Sequence, residues 1–148
     1  MRSHGTITTL RRILFWTLAI GIVGTESELL LLGHFDDWKQ YTPLILLALA
    51  LVVQGWYFAS RSAASIRVLR VAMWLFVVSG AVGVALHLIG NIEFELEMSP
   101  GLTGWELFRE SVTGATPVLA PGAMLQLGLI GLAWAFRHPV LSRTPNDC

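Results

Sequence analysis

VAMWLFVVSGAVGVALHLIGNIEFELEMSP, residues 71–100, decides how the rest of the chain is read. Val71 to Gly90 holds no Asp, Glu, Lys or Arg, and as a helix it spans about 30 Å, the thickness of a bilayer core. The stretch then closes on Glu93, Glu95 and Glu97. Ser79, Gly83, His87, Asn91 and Glu95 recur at every fourth position, which on a helix makes one slowly drifting stripe. Small residues occupy its deep part and ionisable ones its mouth. A membrane span with a polar outer end is the expectation.

The whole chain agrees. It has 148 residues, of which 54% are hydrophobic and 14% charged, with a mean hydropathy of +0.63. A soluble domain carries about 25% charge, so lipid is the expected solvent. The pattern predicts one all-α domain over residues 1–148, with four transmembrane helices at about 13–34, 43–60, 68–91 and 117–137. A short interfacial helix is expected at about 104–112, in the second outer loop.

The first span contains Glu26 and Glu28. Its eleven Ile, Leu, Phe and Val residues each favour insertion by about 0.3–0.6 kcal/mol, against about 2.5–3.5 kcal/mol for a charge at mid-bilayer. Both glutamates lie in its outer third, where the penalty is smaller, so insertion wins. No A-x-A-like cleavage motif follows the first apolar run, so a retained span is expected. GHFDDWKQYT reads as a polar turn, with Pro43 opening the second span. SRSAASIRVLR reads as a basic connector. Ser79, Gly80 and Gly83 let the third span approach a neighbour closely. EFELE suits an extended segment or a frayed helix end. GWELFRESV places Trp105, Phe108 and Val112 on one helical face, as an interfacial helix does.

Charge fixes the expected orientation. Arg2, Arg11, Arg12, Arg61, Arg67, Arg70, Arg137 and Arg143 fall on one side of a four-span chain, and every acidic residue but Asp147 on the other. Basic residues stay cytoplasmic. Both termini are therefore expected inside, in a plasma membrane (the inner membrane of a bacterial cell). Cys148 is the one cysteine; it makes no internal disulfide or prenylation box and reads as a free thiol.

Depth then compares candidates from different helices. Glu28 lies about 22 Å and His87 about 24 Å from the inner boundary, with Gln126 about 12 Å below the outer one. Glu28 also continues a Thr17, Gly21, Gly24 stripe. Ionisable groups inside spans are expensive and usually face the protein interior. The expected outward-facing acidic and histidine layer is Glu28 opposite His87, with Asn91, Glu95, Glu26, His34 and Asp37 around them. Gln54 and Gln126 are expected to make inter-helix hydrogen bonds. The bland alternative is snorkelling of Glu26 and Glu28 to the headgroups and a hydrogen bond from His87 to a carbonyl. Glu93, Glu97 and Glu106 read as a solvated rim.

Three uses of that layer are weighed. Imidazole and carboxylate together suit a divalent metal such as Zn, Mn or Fe; His34 and His87 as axial ligands to haem is a less favoured version. Neither the Glu-x-x-His pairs of di-iron bundles nor HExxH is present. Transport, with Glu28 exchanging protons in a homo-oligomer, is the second use; the glutamate pattern of small four-helix multidrug exporters is not found. A non-catalytic subunit or assembly factor of a larger membrane complex is the third. Enzymatic activity is not expected: no Ser-His-Asp set, phosphate loop or nucleotide fingerprint occurs. The inner arginines are few and dispersed, so nucleic-acid binding is not expected.

Overall fold

The computed structural model describes residues 2–141, with side chains from residue 5 onward. Cys148, Arg143, Asp147 and the side chain of Arg2 lie outside that range. The described chain is all-helical: α1 (Arg2–Leu31), α2 (Trp38–Ser60), α3 (Ala63–Met98), α4 (Gly104–Val112) and α5 (Gly122–Ala135), then a 3₁₀ turn at Pro139–Leu141. Three of them, α1, α2 and α3, are long and apolar enough to cross a membrane.

The ends of these helices follow from local chemistry. α1 stops where Gly33 adopts φ +65°. The His34 amide donates to Leu29 O and the Gly33 amide to Leu30 O, the paired bonds of a Schellman cap. α2 begins at Trp38, a turn earlier than Pro43, because Asp37 caps it: its carboxylate accepts from the Lys39 amide, and Gln40 Oε1 accepts from the Asp36 amide. The polar turn is thereby shortened. Pro43 sits in the second helical turn, where its missing N–H forgoes one bond to the Lys39 carbonyl.

The basic connector is also shorter than expected. Arg61 takes φ +49° and Ser62 caps α3 by accepting from the Ser65 amide, so only two residues separate α2 from α3. At its far end α3 runs through EFELE to Met98. Glu, Leu and Met are good helix formers, and the helix continues past its apolar part. α4 matches the interfacial segment residue for residue. The expected fourth span is α-helical only over Gly122–Ala135. Before it, Ala120, Gly122, Ala123 and Met124 donate to carbonyls three residues back, so Pro117–Pro121 is wound as a tighter 3₁₀ turn.

α1 packs against α2 and α5, and α3 packs against α2 and α5, while α1 and α3 make no comparable contact. The shared core is Phe15, Leu18 and Ile22 of α1, Leu47, Ala50 and Tyr57 of α2, Ile66, Leu69, Met73 and Phe76 of α3, and Met124, Leu127 and Trp134 of α5. The α3–α5 crossing is the tightest. A Cβ on Gly80 would lie 2.6 Å from the Leu125 amide nitrogen, and one on Gly128 would lie 2.7 Å from Met73 O. The two backbones touch, as the small-residue patch predicts. Large apolar residues such as Ile20, Val52, Trp74 and Leu129 point outward.

Candidate functional site

The C-terminal end of α3 is held by one side chain. Asn91 is 2% exposed, and its carboxamide is fully engaged. Nδ2 donates to Ser111 O (2.8 Å) and Thr116 O (2.7 Å), and Oδ1 accepts from the Thr116 amide at 3.1 Å. An Asn side chain offers two donor hydrogens and a carbonyl acceptor; this loop meets both donors and the acceptor. Gly114 lies against it: a Cβ there would sit 3.1 Å from Asn91 Cγ. One turn earlier, His87 Nδ1 lies 3.0 Å from Pro117 O. A carbonyl can only accept, so Nδ1 carries the proton in this bond. Ser111 Oγ donates to Leu107 O one turn back within α4, and the Asn91 bonds form the latch between α3 and both α4 and the loop that follows it.

α4 is thus fixed on α3 at buried Ser111, while Trp105, Phe108 and Val112 face outward. The Trp105 and Phe108 rings lie 5.4 Å apart, and Arg109 pairs with Glu110 at 2.6 Å.

The expected layer is not assembled as a ligand set. Among the described residues no three His, Cys, Asp or Glu side chains converge on a metal-sized site. Glu28 and His87 stand on α1 and α3, the two long helices that do not pack side by side. Glu28 is exposed. Gly21 of its stripe meets Leu127, but Gly24 meets nothing, so the stripe turns off the packed face. Asn91 is occupied by backbone, and Asp37 is a helix cap. Glu95 and His34 are half-buried, and Gln126 is exposed, not at a helix contact. Gln54 does make its inter-helix bond, donating to Phe15 O at 3.4 Å. The two buried side-chain polar atoms left without partners among the described residues are Glu26 Oε2 and Gln54 Oε1.

A second polar cluster, at the opposite end of the helices, escaped sequence reasoning. His138 is 6% exposed, and its Nε2 lies 3.2 Å from Tyr57 Oη. The Val140 amide donates to Nδ1 at 3.4 Å, which assigns the proton to Nε2 and makes Tyr57 Oη the acceptor. Trp134 stacks edge-on to Tyr57 at 4.8 Å and lies 5.0 Å from the His138 ring, with Phe15 closing the group. Arg61 lies over Tyr57, and Arg11 donates to Arg137 O at 2.9 Å. Burial, aided by Arg11 and Arg61, lowers the His138 pKa to about 4. The available signal was modest: Tyr57 shares the i, i+3, i+4 register of Leu47, Ala50 and Gln54, but nothing local marks His138 as buried.

Comparison with protein-family models, with curated proteins and with solved structures gives no match.

Proposed function

We propose that the chain is a four-span integral protein of the plasma membrane, the inner membrane if the cell is bacterial. Both ends are cytoplasmic, and the protein works as a non-catalytic subunit or assembly component of a larger membrane complex. The observation that carries the reading is how the outer polar residues are used. His87 and Asn91 bind the chain's own carbonyls, and the bond from Asn91 to Ser111 O fixes the aromatic face of α4.

The fourth crossing is supported by length. Five residues of 3₁₀ turn rising about 2 Å each, followed by the α5 helix at 1.5 Å per residue, reach roughly 30 Å. The orientation is supported by Arg11, Arg61, Arg67, Arg70 and Arg137 gathering at one end and Glu93, Glu95, Glu97 and Glu106 at the other. A second reading, proton or cation translocation by a homo-oligomer, is favoured by Glu26 alone, whose Oε2 is buried and unpartnered inside a span.

Orientation is tested with Glu106→Cys and Ser62→Cys in whole cells. The first should react with an impermeant maleimide from outside, the second only after permeabilisation. Function is tested by cross-linking in native membranes and mass spectrometry. A stoichiometric membrane partner should appear with the natural chain and be lost with Trp105→Ala/Phe108→Ala. Stoichiometric Zn, Mn or Fe that disappears in His87→Ala, a haem absorption band, or liposome flux abolished by Glu26→Gln or Glu28→Gln would overturn the subunit reading.

A further inference from the structure

At the arginine-rich end of the helices a groove of about 410 Å³ lies between α3 and the end of α5, lined by Arg70, Trp74, Leu132, Phe136, Arg137 and Leu141. We infer that this groove is a binding site for one anionic phospholipid of the inner leaflet, its phosphate held by Arg70 and Arg137 and its first acyl segment laid against Trp74, Leu132 and Phe136. The inference rests on the membrane-spanning reading above.

The groove is made by two helix faces meeting. Arg70 and Trp74 are one turn apart on α3, and Leu132 and Phe136 are one turn apart at the end of α5, so each pair presents one face. Along α3 the guanidinium comes first and the indole one turn deeper. That is the order in which a lipid offers its phosphate and then its glycerol and acyl carbons, with an indole suited to the boundary. The charge is complementary to an anion. Among the described residues neither Arg70 nor Arg137 has a carboxylate partner, and all the described acidic side chains belong to other parts of the fold, none of them to this groove. A guanidinium grips phosphate through two parallel N–H donors.

The cationic wall is also held in place. Arg137 stands at φ +45°, where the chain leaves α5. Arg11 donates to Arg137 O and, at 3.4 Å, to Phe136 O. One residue on, His138 is tied to Tyr57. Three helices thus fix a turn that would otherwise be free, and a preformed site loses less entropy on binding. A free phosphate ion would satisfy the arginines but leave four apolar residues wet. A lipid covers both, and basic pockets between helices on the cytoplasmic side are suited to anionic headgroups.

The test is native mass spectrometry of the protein released from nanodiscs of phosphatidylcholine doped with phosphatidylglycerol. One phosphatidylglycerol should be retained in preference to phosphatidylcholine. Arg70→Gln and Arg137→Gln should each weaken retention about fivefold, and together about thirtyfold. Arg67→Gln, outside the groove, should leave it unchanged. A photoactivatable phosphatidylglycerol should mark residues 70–74 and 132–141. Equal retention of both lipids, retention that survives the double substitution, or full displacement by inorganic phosphate would overturn the site. Failure of the chain to enter nanodiscs at all, with release from membranes by alkaline carbonate, would instead overturn the membrane reading beneath it.

Discussion

Replacing Gly80 by alanine should loosen the α3–α5 crossing. The new Cβ would meet the Leu125 amide nitrogen at 2.6 Å and Pro121 O at 3.0 Å. Both are backbone atoms, so no side chain can swing aside. Relief requires the helices to part by roughly 0.8 Å, and a gap of that size forfeits a quarter to a half of each affected dispersion contact. Between membrane helices such packing is a main driving force. Overpacking of this kind costs about 1–3 kcal/mol, offset by about 1 kcal/mol because alanine is the better helix former. The expected net loss is about 0–2 kcal/mol. Gly55→Ala is the internal control, since a Cβ there meets nothing within 4 Å; it should be neutral or slightly stabilising. Unfolding in mixed detergent micelles, followed by Trp fluorescence, measures both. Gly128→Ala should behave like Gly80→Ala, and the double variant should lose less than the sum, because helices already parted for one methyl accommodate the second. A Gly80→Ala protein as stable as Gly55→Ala, or strictly additive losses, would refute the reasoning.

Three further outcomes are expected. Asn91→Leu should free the loop at 113–117, costing about 1–3 kcal/mol, chiefly for the buried Ser111 carbonyl left unpaired; faster amide exchange at Thr116 is the readout, and an unchanged rate would contradict the latch. Gln54→Leu should be neutral or stabilising, because it removes a buried, unpartnered Oε1 at the cost of one long hydrogen bond. For His138 the sign follows from its lowered pKa of about 4. The unfolded chain takes up a proton below about pH 6.5 while the folded chain does not. Stability is therefore full above that pH and is lost as pH falls toward 4, by an amount of order 2–3 kcal/mol. Unfolding midpoints measured across this range should slope less in His138→Phe; parallel slopes would count against the buried neutral imidazole.

How legible was all this from residues alone? α4 was legible to the residue because its Trp, Phe and Val recur at helical spacing beside charged neighbours. The α3–α5 contact was half legible: Ser79-Gly80-Gly83 marked one side, but Gly128 of α5 looked like any other glycine. The Glu28–His87 pairing rested on depth and on small-residue stripes. Equal depth says nothing about which helices are neighbours, and α1 and α3 are not. Asn91 was singled out as a ligand; its carboxamide answers a loop twenty to twenty-five residues away.

By itself the sequence determined that this chain is helical, apolar over spans of bilayer length, and sorted by charge toward two ends. Those properties depend on summed transfer free energies and on periodicity, which need only the order of the residues. Tertiary structure alone decided which polar groups meet. A hydrogen bond or a ligand set depends on ångström-scale distances between different helices, and these are set by where glycines allow backbones to touch and where caps end each helix. That is why His87 to Pro100, which reads along the chain as the mouth of a polar ligand layer, becomes in the fold the post to which α4 is fastened.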